Sequence, residues 1–397
     1  MKLKKLAALL LALCMVFALA ACSNGGSSST PAVDSQPQQS STPAVDSQPQ
    51  QSSAPADSSE PAADGVQPVD GKTVAFIPKL TGNAFFEVAN TGAQEFAKDW
   101  GITVDYIGSP NATAADQVQC INDAISKSVD AICISTVDAA GVADALQEAM
   151  DAGIVVCTWD SDAAASNRAL MVSQGTPEVL GQMLVDLAVN GLKDRGIDPD
   201  KDEVKYAWHY SQATVTDQNS WQVEGEKIIQ EKYPNWVNVH PDNYYSEQDA
   251  EKSVTIGEAV LADNPDIDLI ICNDSTALPG QLQAAENKQL TKDDVTITGF
   301  ATPNAIKDYC TNGTLFNWGL WDCKIQGGLG CYVAAYIAAG NDVKVGDVID
   351  VPGIGKCEVM PNNCLNPDDA TGDINNGVVL LPERAIFNAE NMDDYDF

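Results

Sequence analysis

From Lys72 onward the chain alternates short apolar runs with helix-length amphipathic segments, and this alternation constrains the fold more than any single residue does. Apolar runs of strand length separated by helices are the pattern of a parallel sheet with helices on both faces. The first half predicts strand Thr73 to Pro78, helix Ala84 to Trp100, strand Thr103 to Ile107, helix Ala115 to Ser126, strand Ala131 to Ser135, helix Ala140 to Ala152 and strand Ile154 to Thr158. A second unit of the same plan follows. Its strands are expected near Val204 to Tyr210, Val237 to His240, Leu269 to Cys272 and Thr296 to Gly299, with helices starting near Thr216, Ser246 and Thr276. The expected class is α/β, with two doubly wound, Rossmann-like lobes.

Ligands of such sheets bind in the crevice outside the carboxyl ends of the strands. Polar and aromatic residues gather at those ends in both units. The first strand runs into Lys79, with Phe85 and Phe86 beyond it, and the fourth runs into Trp159, Asp160 and Asp162. In the second unit the corresponding residues are Thr216, Asp217, Gln218 and Asn219, then Asn273, Asp274 and Ser275. A carboxylate accepts two hydroxyl hydrogens of a vicinal diol, lysine donates to hydroxyl or ring oxygens, and the aromatic rings cover C–H surfaces. Taken singly, Asp160 fits a loop cap as well as a ligand acceptor. Asp162 fits a cap or a solvated carboxylate better, and Phe85 and Phe86 fit a core.

Before the alternating region lies a different kind of chain. Lys2, Lys4 and Lys5 precede the apolar stretch Leu6 to Ala21, which is too short and one-sidedly flanked to read as a spanning helix. It ends in Leu19-Ala20-Ala21-Cys22, a pattern similar to the bacterial lipobox, so residues 1–22 are expected to be a lipoprotein signal with lipidation at Cys22. Residues 23–71 read as a Pro/Ser/Gln linker, in which STPAVDSQPQQS occurs twice in succession from Ser29 to Ser52. Such composition buries too little apolar surface to offset chain entropy. A coil of this length spans on the order of 40 Å. The expected location is outside the cytoplasm, anchored by lipid to the outer face of the cell membrane.

The formal charge of −34 repels phosphate backbones, so nucleic acid is not expected as a partner. Nine cysteines follow Cys22 without metal-ligand spacing; Cys133, Cys157 and Cys272 sit within apolar runs, and Cys357 and Cys364 are close enough in sequence to bridge. With two histidines, His209 and His240, no transition-metal site is expected. The phosphate-loop, dinucleotide and nucleophile-elbow motifs are absent from the sequence. Paired carboxylates admit glycoside hydrolysis, but these come from different strand ends with Lys79 among them. A binding protein without catalysis, metal or cofactor is the expectation.

The leader, the linker and the two related α/β units resemble type I solute-binding proteins of ABC importers. The stretches "AFIPKL", "NAFF", "TWDSD", "QGTPEVLGQMLVD", "TVTDQN", "TALP", "GFATPNA", "GLWD" and "VVLLPERAIFNAEN" are most similar to the autoinducer-2 receptor (LsrB-type) branch, which is related to rhamnose- and ribose-binding proteins. The resemblance implies three segments crossing between lobes, near Gln174, Gly319 and Leu381. One lobe would comprise 72–174 plus 320–381, and the other 175–319 plus 382–397. It implies ligand contacts at Lys79, Asp160, Asp217 and Gln218, and puts Asn273 and Ser275 where the branch carries proline and alanine. Asn273 resembles an asparagine of ribose-type receptors. Trp321, just past a crossing, is expected as a cleft wall or a buried hinge residue. The implied partners are a small polyhydroxylated ligand, autoinducer-2 first and a sugar second, and an ABC permease, with the chain acting as a monomer. A sensor docking to a membrane receptor would use the same surface.

Overall fold

The computed structural model describes residues 66–367 and 376–397. The expected signal with Cys22, and the linker as far as residue 65, lie outside those residues.

The chain begins with β1 (Thr73–Ile77), α1 (Ala84–Trp100), β2 (Thr103–Tyr106), α2 (Ala114–Lys127), β3 (Ala131–Ile134), α3 (Ala143–Asp151), β4 (Val155–Trp159) and β5 (Leu170–Ser173). It continues with α4 (Pro177–Asp194), β6 (Val204–Tyr210), α5 (Thr216–Lys232), β7 (Trp236–Asn238), β8 (Tyr244–Tyr245), α6 (Ala250–Asp263) and β9 (Leu269–Cys272). Next come α7 (Ala277–Asn287), β10 (Thr296–Gly299), α8 (Pro303–Thr311), β11 (Asn317–Leu320) and α9 (Cys323–Ala338). The antiparallel pair β12 (Val348–Val351) and β13 (Gly355–Met360), then β14 (Gly377–Leu380) and β15 (Ala385–Asn388), complete it.

One sheet has the order β12-β13-β14-β5-β4-β3-β1-β2, and the other runs β10-β9-β6-β7 with β8 also paired to β6. From β14 to β2 the first sheet is parallel. Strands β11 and β15 pair antiparallel, and a bridge from Phe300 to Gly319 ties them to the end of β10. The chain therefore leaves the first sheet after β5, returns after β11 and departs again after β14. In β1, Val74 and Phe76 face one apolar core, while Ala75 and Ile77 face another on the opposite side, the period-two alternation of a strand. Helices α1 and α9 approach closely because small residues meet there. A Cβ at Gly92 would stand 2.2 Å from the Lys324 carbonyl oxygen, and one at Gly327 2.0 Å from that of Ala89.

Two helices start later than the sequence predicts. Ahead of α3, the Asp138 carboxylate accepts from the N–H groups of Ala140 and Gly141, 3.0 Å each, and forms a turn there. Ahead of α6, Glu247 and Gln248 occupy the left-handed region at φ 55° and 56°, and Asp249 then caps Lys252 N–H at 2.8 Å. Cys357 and Cys364 are both free thiols.

Candidate functional site

The two residues beyond β1 end on Lys79, whose side chain is buried where β1, β3 and β4 finish. Its ammonium lies 2.9 Å from Asp160 Oδ2 and 3.8 Å from Asp217 Oδ1. Asp160 is the first residue past β4 and takes a left-handed φ of 59°, a conformation that aspartate tolerates better than most residues. Its N–H donates to Val172 O at 3.2 Å, and Gln174 Nε2 donates to its carbonyl at 3.2 Å, so the backbone is held there. Ser135 Oγ donates to the same Oδ2 at 2.7 Å. Both side-chain bonds thus fall on Oδ2. Burial disfavours the Lys79 charge, but Asp160, Asp217 and Asp274 outweigh it and raise its pKa above the ordinary value.

Asp162, two residues on, does something else. Arg168 grips it with both Nε and Nη2, each 2.7 Å from a carboxylate oxygen, and Thr158 Oγ1 donates to it at 2.5 Å. Of two neighbouring aspartates at one strand end, one faces the cleft and the other anchors a buried arginine.

The second sheet supplies the opposite wall. Asp217 lies in the first turn of α5 and receives a hydrogen bond from Ser161 of the first wall. Burial pushes its carboxyl up to about 6, with Lys79 pulling down and the Asp160 charge pushing further up. Gln218 is committed within its own lobe, donating to Asp274 Oδ2 at 3.0 Å and accepting from Ser211. Asn273 Nδ2 donates to Gln218 O at 2.7 Å. Asp274 caps α7 through Thr276 and Ala277 N–H at 3.0 and 2.8 Å; burial raises its pKa against those bonds. Ser275 Oγ reaches across to Asn83 Oδ1 at 3.3 Å.

Aromatic rings from both lobes cover the apolar side. Trp321, just past β11, packs edge-on against Phe85, Trp221 and Phe300 with centroids 5.8, 5.9 and 5.6 Å apart. Phe86 meets Phe85 at 5.1 Å and stands 5.9 Å from the Lys79 ammonium. Lys79, Phe85, Phe86, Asp160, Gln218, Asn273, Ser275 and Trp321 together line a narrow pocket, which Asp217 borders through its contact with Lys79. Trp159 does not reach this pocket. It is fully buried one layer behind, stacked on Phe76 at 4.5 Å with its indole donating to Ile77 O. A strand residue whose neighbour faces the cleft points the other way, and here that way is the core.

The sequence reading missed Trp221, Gln248, Phe300 and Leu320, which with Asp274 complete the lining. Phe300 and Leu320 obey the strand-end rule that found the others. Trp221 lies three residues after Gln218 on α5, one helical turn away. Gln248 lies three residues past the end of β8, a two-residue strand that the sequence reading did not place. Among the described residues no group of three or more His, Cys, Asp or Glu side chains is placed to hold a metal ion. The site offers acceptors, one ammonium and flat apolar faces, which suit a neutral molecule rich in hydroxyls.

Residues 74–342 match the family model described as a periplasmic binding protein domain. Among solved structures, LsrB from Clostridium saccharobutylicum in complex with AI-2 is 64% identical, with a TM-score of 0.81, over 82% of this chain and 100% of that one. An ABC transporter solute-binding protein from Clostridium phytofermentas with bound L-rhamnose is 24% identical, TM-score 0.68, over 82% of this chain and 98% of that one. A sugar ABC transporter protein from Actinomyces odontolyticus is 25% identical, TM-score 0.62, over 84% of this chain and 100% of that one. The latter two likenesses speak for the fold. With strand ends of two α/β lobes facing one pocket and a family model spanning most of the chain, the protein belongs to the periplasmic binding proteins.

Proposed function

We propose that the chain is an extracytoplasmic receptor that captures autoinducer-2 between its lobes and delivers it to an ABC permease. The observation that carries this reading is the 64% identity, over the whole length of the relative, to a protein whose structure contains AI-2. The pocket chemistry agrees with it. Lys79 and Asp160 stand ready for a ring oxygen and a hydroxyl pair, Asp217 faces them from the other lobe, and the aromatic surface of Phe85, Phe86, Trp221, Phe300 and Trp321 suits a small furanoid face. Each charged hydrogen bond is worth roughly 1.5 to 3 kcal/mol where water is excluded.

In this reading the lobes are 72–174 plus 320–381 and 175–319 plus 382–397, and they close on the ligand as rigid bodies about the three crossings. Cys22 carries the lipid anchor on the outer face of the membrane, and residues 23–71 tether the receptor. The protein works as a monomer and without turnover. A sugar of the rhamnose or ribose type is the second reading, favoured by Asn273, whose Oδ1 is buried without a partner and suits a sugar hydroxyl.

Calorimetric titration of the purified chain with autoinducer-2, L-rhamnose and D-ribose tests the assignment. Tightest binding of autoinducer-2 is expected. Heat from a sugar alone would move the protein to the second reading.

A further inference from the structure

Gln248 belongs to the short turn between β8 and α6, three residues past the end of β8. The residue is 5% exposed and lines the pocket, yet its Nε2 has no hydrogen-bond partner. An amide donor buried without a partner destabilises the fold, and Gln248 adds a left-handed backbone, as does Glu247 before it. The turn is nonetheless held in place from several sides. Ser246 N–H donates to Tyr210 O at 2.9 Å, Glu247 N–H donates to Ser211 O, and Lys252 pairs with the Glu247 carboxylate at 2.7 Å. Strain and a missing bond that persist in so well-fixed a segment point to function at that place.

On the same wall, Asn273 presents the complementary gap. Its Nδ2 is used by Gln218 O, which fixes the amide's orientation and leaves Oδ1, on a residue that lines the pocket, as an unpartnered acceptor. One wall therefore offers an unused donor and an unused acceptor, and a hydroxyl group is the ligand function that accepts from one and donates to the other.

We propose that Gln248 is a ligand-contact residue, whose amide N–H donates to a hydroxyl of the bound molecule while Asn273 Oδ1 accepts a hydrogen bond from that hydroxyl. This rests on the reading of the cleft as a site for a polyhydroxylated ligand and adds to it a specificity element. A ligand lacking a hydroxyl on the second-lobe side leaves both amides unpaired and is rejected.

The test uses the full chain and two substitutions of similar length, Gln248→Met and Gln248→Glu. Methionine removes the donor with little change of shape; glutamate sets an acceptor against the Asn273 acceptor. Titration with autoinducer-2, L-rhamnose and D-ribose should show the tightest of the three weakened at least fivefold by Gln248→Met and more by Gln248→Glu. Thermal unfolding of the ligand-free Gln248→Met protein should occur at the same temperature as the parent or higher, since an unsatisfied donor has been removed. Unchanged affinity in Gln248→Met would overturn the proposal. A marked fall in its ligand-free unfolding temperature would overturn it too, by making the residue structural. If the parent binds none of the three probes, the ligand assignment fails, while the unfolding comparison still decides the role of Gln248.

Discussion

The two walls of the cleft are built from similar residues and reach opposite states of completion. On the first-lobe wall, Lys79, Asp160 and Ser135 satisfy one another at 2.7 to 2.9 Å. On the second-lobe wall, Asp217 Oδ2, Gln248 Nε2 and Asn273 Oδ1 are all buried without partners. The first wall is a preformed charged cluster whose members satisfy one another; the second keeps polar groups in reserve at the expense of stability. Preorganisation on one side and unmet hydrogen bonds on the other give a binding protein a place to seat a ligand and a reason to close over it.

The largest expected effect separates the two aspartates that face each other. Asp160→Ala removes the nearest partner of a buried ammonium, and breaking such a pair costs about 3 to 5 kcal/mol. Ligand affinity and folding stability should therefore both fall. Asp217→Asn keeps a group for Ser161 and relieves a buried carboxyl whose pKa is raised. Its stability should hold or rise while affinity drops by about 2 kcal/mol. Denaturant unfolding together with calorimetry separates the pair. Equal stability losses in the two variants would abolish the contrast between walls.

The pH dependence comes next in size. Folding lifts the Asp217 carboxyl from an ordinary 3.8 to about 6, so the folded, ligand-free protein holds a proton there that the unfolded chain has lost. The contribution of this group to stability is therefore greatest below about pH 4 and is lost as pH rises to about 6. Ligand hydroxyls select the carboxylate, so binding has the opposite slope. Affinity should weaken as pH falls below about 6, by up to tenfold per unit, with proton release on binding. Titrations in buffers of different ionisation enthalpy would detect that proton, and Asp217→Asn should remove it. A proton count of zero at pH 5 in the parent would exclude Asp217 from the contact set.

How much of this was legible in the sequence follows from what each rule can reach. Parallel α/β architecture was readable from the alternation because strand and helix differ in apolar period. Lys79, Asp160, Asn273 and Ser275 were readable because the strand-end rule fixes them by chain position alone. The direction of a side chain one residue earlier was less accessible: Trp159 was expected at the cleft, and its place behind Phe85 is decided by packing on Phe76. Asp162 illustrates the same limit, since its partner Arg168 adjoins Asn362 and Asn376, roughly two hundred residues along the chain. Gln248 depends on two consecutive left-handed residues, and nothing in the residue types Glu-Gln announces such a turn. The antiparallel β12–β13 edge was likewise unforeseen, lying beyond the repeating pattern.

The smallest expected effect concerns the rim, where the walls touch directly. Asn83 Nδ2 donates to Thr276 Oγ1 at 3.0 Å, and on another part of the rim Thr214 Oγ1 and Gln212 Nε2 donate to Val137 O at 3.2 and 3.4 Å. These are neutral bonds near solvent, each worth about 0.5 to 1.5 kcal/mol, and they favour the closed arrangement whether or not ligand is bound. Asn83 is a poor place to test this, because its Oδ1 also caps α1 through Phe85 N–H at 2.9 Å and losing a cap costs about 1 kcal/mol by itself. Thr276→Val is cleaner, keeping shape and removing only the hydroxyl. It should shift the ligand-free population toward open forms, seen as a larger radius of gyration in small-angle scattering. At saturating ligand the radius should return to the parent value, with affinity lowered about two- to tenfold. A ligand-free radius identical to the parent's would mean that closure is carried by the Lys79–Asp217 and Ser161–Asp217 contacts, and the contrast between walls would then rest on Asp217 alone.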